Sequence, residues 1–456
     1  MQKKKATIYF HSGAGTVTGA NFRLVGDEGT QILLDCGMLQ GSKVADDKNW
    51  DPFPYEPKDI TALFVSHPHI DHVGRIARLV RMGFTGTIYS TAPCKDIGLL
   101  LLEDSLGVIE KECVHDCRLE PLYAIEDVKK AETMWKTLDY HQTVKVGDYN
   151  VLFRDAGHVL GSAMTEVECN GTKLLYTGDL GNSPSPIMHD TEIVKDATYL
   201  IMESTYGNRN HEHKEERAEK LKEIIQSTIN LGGTLMIPAF SVERTQELLY
   251  EVNEMFRDKK LAPVTTYLDS PLAIKVTAVY EKYKNMFNDQ ARADILKGDI
   301  FKFPGLKMTM TTDESRAILH DTRPKIIIAG SGMSNGGRII HHERIYLPDP
   351  KNTLLLVSYQ SAGTLGRVIQ DGAKGVRILG EMVPVRAQVV SLPGYSAHKD
   401  SDGLFNFVEQ CDGNLQKVFV ALGEPASALF MVQRIRDYLG YQAYAPSAGE
   451  KAELEF

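Results

Sequence analysis

The chain has 456 residues, 43% hydrophobic and 24% charged, enough apolar material for a large core and about two domains. Its net charge of −9 excludes a uniformly basic coat but leaves room for a local Lys/Arg-lined groove, because steering follows the distribution of charge and not its sum. No apolar run approaches the roughly eighteen residues of a membrane span, and the basic start MQKKKATIYF runs into strand-like alternation instead of a secretion signal, so a cytoplasmic protein is expected.

Over the first two hundred or so residues, ATIYFHS, QILLDCG, ALFVSH, GTIYST, YNVLFRDAG and TKLLYTGD each read as a short strand ending in Gly, Asp or His. Helical periodicity is expected between some of them, over 97–109 and 125–138. Strands that deliver polar residues at their ends predict a layered sheet whose loops carry the chemistry. The pair Cys113 and Cys117, with His115 between, has the spacing of half a metal clip. The other cysteines, at 36, 94, 169 and 411, supply no second pair, so reduced thiols are expected.

From about residue 210 the texture changes. HKEERAEKLKEIIQSTINLGG reads as an amphipathic helix stopped by Gly232-Gly233, TLMIPAF as a buried strand, and the next helix starts near Ser241 with Leu248, Val252, Met255 and Phe256 on one face. A strand VTTYLDS, a helix over 271–287, and the strands PKIIIAGSGM and NTLLLVSYQ follow. This alternation predicts a parallel α/β sheet with right-handed crossovers. AQVVSLPGYSAH and KVFVALGE then return to strands ending in polar turns. The expected organisation is therefore 1–209 as the first part of one domain, 210–388 as an inserted α/β domain, and 389–456 as the return.

The densest chemistry lies in SHPHIDHVG, residues 66–74. His67 and His69 are two apart on an extended segment and so share a face. Asp71 and His72 follow where the chain turns into a helix. Imidazole and carboxylate are the donors zinc takes at a catalytic site, so this cluster predicts metal. His158 in DAGHVLGSA and Asp179 in LLYTGDLG sit on Gly-flanked turns after strands and complete the set. Asp35 ends the apolar strand of LLDCG, where a carboxylate needs partners, and suits orienting a ligand imidazole. In IIIAGSGMSNGGR the Gly-rich turn (Ser331, Gly332) leads into a helix containing Arg338, and its backbone N–H groups are candidates for phosphate contact. Arg244 in SVERTQ is a second candidate, against the alternative of a solvent-facing helix residue. His341 and His342 are read as packing or substrate-side residues, and His211 and His213 as part of a linking loop.

LLDCG, SHPHIDHVG, GHVLGSA and TGDLG, in this order, resemble the signature of the metallo-β-lactamase fold. MESTYGNR, IPAFSVERTQELL, GSGMSNGGR and GYSAH resemble its β-CASP branch of nucleic-acid-processing nucleases, across nearly the whole chain. The resemblance implies an αββα sandwich with an inserted β-CASP domain and a two-zinc centre. His67, His69 and His158 would hold one ion, Asp71 and His72 the other, with Asp179 bridging. It implies catalytic roles for Asp71, Glu203 and His398, the last two as the pair that protonates the leaving 3′-oxygen, and RNA as substrate, cut by a metal-activated hydroxide. Homodimers occur among related prokaryotic members. One position departs from the pattern. The turn VFVALGEPAS places Leu422 where ribonuclease members carry a further histidine, which implies a second zinc site that is weak, or taken by manganese. The DNA-processing branch is also apolar there, so a DNA nuclease is the alternative, as is a non-cleaving subunit that binds RNA or a partner. A small-molecule metallohydrolase would share the histidine core but have no use for the insertion.

Overall fold

The protein is described from a computed structural model, which covers residues 4–41, 43–115, 120–211, 216–361, 363–411 and 413–456. By contacts the chain divides into two compact units, Met1–Asn210 with His398–Phe456, and His211–Ala397. Cys117 and His213, with the side chains of Cys113 and His115, lie outside the described residues.

The strands of the first unit before the insertion are β1 (Lys5–Ser12), β2 (Asn21–Gly26), β3 (Gln31–Leu34), β4 (Ala62–Phe64), β5 (Thr87–Ser90), β6 (Trp135–Thr137), β7 (Val144–Val146), β8 (Tyr149–Asp155), β9 (Ala163–Cys169), β10 (Thr172–Tyr176) and β11 (Tyr199–Met202). The second unit contributes β12 (Thr234–Pro238), β13 (Thr265–Asp269), β14 (Leu306–Met308), β15 (Lys325–Ala329), β16 (Thr353–Leu356), β17 (Gly375–Ile378), β18 (Glu381–Pro384) and β19 (Gln388–Ser391). After it come β20 (Lys417–Val420), β21 (Gln442–Tyr444) and β22 (Lys451–Glu455).

The first unit holds two seven-stranded sheets, ordered β22-β1-β2-β3-β4-β5-β6 and β21-β20-β11-β10-β9-β8-β7. Alternation sets their packing. In β1, Ala6, Ile8 and Phe10 are buried while Thr7 and Tyr9 are half-exposed, so one face of each strand supplies the core. Phe10, Phe22, Phe64, Phe153, Tyr176 and Phe419 meet in the cluster between the two sheets. On the outer face of the first sheet, Leu33, Leu63 and Ile88 pack against helices Ile76–Arg81, Ala92–His115 and Ile125–Met134. On the outer face of the second, Leu200 and Val418 pack against Ser401–Gln410 and Pro425–Leu439. This is the four-layer αββα sandwich. Cys36, Cys94, Cys169 and Cys411 are buried and form no disulfide among the described residues.

The second unit has a six-stranded parallel sheet, β14-β13-β15-β12-β16-β19, and the hairpin β17-β18. Its inner strands β12, β15 and β16 are buried along their length, as KIIIA and TLMIP show, because helices cover a parallel sheet on both faces, while the edge strands β14 and β19 are partly exposed. Among the described residues, no helix is long and apolar enough to cross a membrane.

Besides the helix expected over 271–287, which ends at Lys282, two elements differ from the sequence reading. The helix expected over 125–138 stops at Met134, because Trp135–Thr137 pairs in parallel with β5 and buries its indole. AQVVS, read as returning to the first domain, pairs with β16 as an edge strand of the second unit's sheet.

Candidate metal centre

β4 ends at Phe64, and Val65 continues its line by donating to the Tyr89 carbonyl. Pro68 disfavours helix at His67 and keeps the stretch extended. His67 and His69 therefore fall on one side, with His67 Nε2 3.1 Å from His69 Nδ1. The chain then turns into the single helical turn Ile70–Val73, which carries Asp71 and His72. Two close backbone approaches bring the remaining pieces in. A Cβ on Gly37 would lie 1.5 Å from the Asp71 carbonyl oxygen, and one on Gly181 would lie 1.8 Å from that of Gly157. Only glycine lets LLDCG press on the histidine turn, and TGDLG on the turn of His158.

Asp35 is fully buried and accepts four hydrogen bonds. Its Oδ1 accepts from the Ser66 N–H at 2.7 Å. Its Oδ2 accepts from the Ser66 hydroxyl (2.6 Å), the Tyr176 hydroxyl (2.6 Å) and His72 Nδ1 (2.7 Å). Ser66 Oγ lies in turn 3.0 Å from His67 Nδ1. One carboxylate thus fixes two imidazoles, His72 directly and His67 through a hydroxyl, each with Nδ1 engaged and Nε2 turned to the site. Ser66 and Tyr176 were not singled out from sequence. The only signal was their position beside SHPH and TGD.

Asp179 is the hub. Its Oδ2 is 3.3 Å from His67 Nε2 and 3.7 Å from His158 Nε2, and its Oδ1 is 3.5 Å from His72 Nε2. His67, His69, His158 and Asp179 each offer a ligand atom, all within 4.8 Å of one another. His72 Nε2 lies 3.9 Å from Asp71 Oδ2, is buried, and makes no hydrogen bond among the described residues. This donor set fits a divalent cation. Three imidazole nitrogens and a carboxylate oxygen converge, and the orphaned Nε2 of His72 is aimed at the same carboxylate.

Electrostatics agree. Burial, reinforced by the other histidines, holds His67 well below the usual imidazole value, and burial brings His69 down to about 4, so both keep lone pairs. Burial pushes the Asp179 carboxyl up to about 7. His72 goes the other way. Burial opposes its charge, but Asp179, Asp35 and Asp71 together raise it to about 10.

Glu203 and His398 meet beside the hub. His398 Nδ1 is 3.2 Å from both Glu203 carboxylate oxygens and 3.9 Å from Asp179 Oδ2. Glu203 is fully buried and accepts the Leu180 N–H at 2.6 Å, which fixes its plane. Although burial disfavours the imidazolium, Glu203 and Asp179 raise His398 to about 9.

The remaining candidates belong to other parts of the fold. Leu422 is fully buried within the inter-sheet core, and its N–H donates to the Gly13 carbonyl at 2.7 Å. Arg244, Ser331, Gly332 and Arg338 belong to the second unit. Arg244 is buried and paired with Glu247 instead of facing solvent. Arg338 precedes the helix Ile339–Tyr346 instead of lying within it, and donates to Asp269 (2.7 Å) and to the carbonyls of Thr309 and Met310. His342 packs inward, its Nε2 2.7 Å from Asp269.

Residues 24–205 match the model of a metallo-β-lactamase superfamily domain, residues 245–369 that of a Beta-Casp domain, and residues 382–446 that of a Zn-dependent metallo-hydrolase RNA specificity domain. The chain is 37% identical over 397 residues to Ribonuclease TTHA0252 of Thermus thermophilus, covering 87% of this chain and 89% of that one. This chain belongs to the β-CASP family of the metallo-β-lactamase superfamily. Other β-CASP relatives include an RNase J-like protein of Methanocaldococcus jannaschii, 32% identical over 97% of this chain and 98% of that protein. The transcription termination factor FttA of the same organism is 30% identical over 96% of this chain and 70% of its own length. A solved structure of a protein of unknown function from Enterococcus faecalis V583 shares the β-CASP chain's fold, with a TM-score of 0.57 at 15% identity over 99% of this chain.

Proposed function

We infer that this β-CASP protein is a metal-dependent ribonuclease that hydrolyses RNA phosphodiester bonds. The observation that carries the reading is the meeting of two devices on one carboxylate. Three imidazoles converge on Asp179, and the Glu203–His398 pair stands 3.9 Å from the same side chain. Phosphodiester hydrolysis needs a nucleophile and a proton for the departing oxygen, both close to the phosphorus. The similarity to a protein named a ribonuclease, and the match to an RNA specificity domain, support RNA as the substrate.

His67, His69, His158 and Asp179 would hold one zinc, and Asp71, His72 and Asp179 a second. When bound, the ions supply a nucleophile available at neutral pH and positive charge for the phosphate oxygens. Leu422 offers no donor, so the second ion would be bound less tightly, by three protein ligands. Asp35 keeps His72 Nε2 and His67 Nε2 free to bind by occupying Nδ1 on one ring directly and on the other through Ser66. His398, held charged by Glu203 through Nδ1, gives its Nε2 proton to the leaving 3′-oxygen.

The test is digestion of end-labelled RNA, with a DNA of the same sequence competing, by metal-stripped protein with and without added zinc or manganese. His398→Ala should retain its metal and lose on the order of 10²–10⁴-fold in turnover. An unchanged rate removes His398 from the reaction, and preferential cutting of the DNA replaces RNA as the substrate.

A further inference from the structure

His398 is the first residue of the chain's return to the first unit, and the residues just before it belong to the second. There, Tyr395 is fully buried and closes the short helical turn Pro393–Tyr395. Its hydroxyl donates to Glu251 Oε2. Two guanidinium groups lie over its ring, Arg217 at 4.7 Å and Arg244 at 5.2 Å from the centroid. Arg217 also donates to Glu251 Oε1 through Nε (3.0 Å) and to the Gly394 carbonyl through Nη1 (3.1 Å). Arg244 is tied to Glu247. Two helices, Arg217–Asn230 and Arg244–Arg257, thus grip the backbone and the side chain of residues 394 and 395. The grip is charged and buried, the setting in which hydrogen bonds to ionised groups are strongest. Only Ser396 and Ala397 separate it from His398. On its own side, the His398 backbone has an isolated bridge to Gly181, and Lys399 N–H donates to the Leu180 carbonyl at 2.9 Å.

We propose that Tyr395 is a positioning residue for the reaction. Its grip fixes the segment that presents His398, and so sets how well the imidazolium is aimed at the leaving oxygen, without itself touching substrate. This rests on His398 being the proton donor. Arg217 and Glu251 act with Tyr395 as one unit, and misplacing a proton donor by a fraction of an ångström to one ångström is enough to lower turnover on the order of 10- to 100-fold.

The experiment compares two substrates, RNA, whose leaving group needs a proton, and bis(4-nitrophenyl) phosphate, whose leaving group does not. His398→Ala should lower kcat on RNA and spare the nitrophenyl ester. Tyr395→Phe, which keeps the ring between the guanidiniums, should do the same on a smaller scale, on the order of 10-fold or more, with KM and bound zinc unchanged. Tyr250→Phe removes a comparable buried hydroxyl bond, to Asp294 at 2.7 Å in the same unit, and should change neither rate. If Tyr395→Phe folds poorly, Arg217→Lys keeps a charge for Glu251 while losing the bond to Gly394, and should show the same selective loss. An unchanged kcat on RNA, or an equal loss on both substrates, overturns the proposal. If His398→Ala itself loses both equally, the proton-donor reading is what has failed, and the role of Tyr395 falls with it.

Discussion

Asp35→Asn is the sharpest perturbation of the centre, because it changes one atom and leaves the shape. Asp35 has φ 59°, in the left-handed region, which asparagine tolerates, so no backbone penalty enters. The native carboxylate only accepts, and all four of its partners donate. The Ser66 and Tyr176 hydroxyls can rotate to accept from an amide, but the Ser66 backbone N–H cannot. The carboxamide oxygen must therefore face that N–H, which turns the amide nitrogen toward His72 Nδ1. The imidazole can then only accept there, its proton moves to Nε2, and the lone pair aimed at Asp179 is lost. In the flipped amide two N–H donors oppose each other at Ser66. Either way one charge-assisted hydrogen bond goes, about 1.5–3 kcal/mol, or roughly 10- to 150-fold in affinity. The loss should fall on the zinc bound through His72. His67 is reached through the adaptable Ser66 hydroxyl and should lose less. Competitive zinc titration of stripped protein against a chromophoric chelator measures both affinities, and ¹⁵N chemical shifts of the His72 ring report its tautomer. Unchanged affinity for both zinc ions, with the His72 tautomer unchanged, would refute the reasoning.

Zinc should bind in two unequal steps, one tight equivalent and one weaker by at least an order of magnitude, since Asp71, His72 and Asp179 are the protein donors left once Leu422 supplies none; two equally tight equivalents by elemental analysis after chelator dialysis would count against this. For the metal-free protein, the raised value of His72 fixes the sign of a pH dependence. Its stabilising contribution is complete below its unfolded value near 6.5 and is lost as pH rises through about 10, so urea midpoints should decline across that window, and His72→Gln should flatten the decline. Zinc must displace the same proton, so affinity at that position should increase with pH over the same range, a trend that proton release on zinc addition would measure directly.

The sandwich and the inserted parallel sheet were legible because they rest on local patterns, alternation in β1 and unbroken apolar runs in β12 and β15. The histidine cluster was legible for the same reason, since His67 and His69 need only an extended stretch to face together. What escaped was set by partners far along the chain. Tyr176 meets Asp35 across 141 positions, and no feature of LLYTGD announces that bond. Arg244 has the spacing of an exposed helix residue, yet Glu247 and Tyr395 make its burial affordable. Trp135 continues a helical period but is claimed by the edge of β5, and β19 carries an alternation that either sheet could have used.

The insertion also imposes a timetable. Asn210 and Asp402 are joined side chain to side chain at 2.7 Å, and Ser401 donates to the Arg209 carbonyl, so the points where the chain leaves and re-enters the first unit are sewn together. β1 pairs with β22, Lys5 opposite Glu455, and β11 pairs with β20. The Asn210–Asp402 contact closes across 192 positions, and the β11–β20 and β1–β22 pairings wait longer still. His67, His69, His158 and Asp179 all precede the insertion, while His398 follows it. On the roles proposed above, the donors for the first ion are all synthesised before the insertion, and the proton donor only after it.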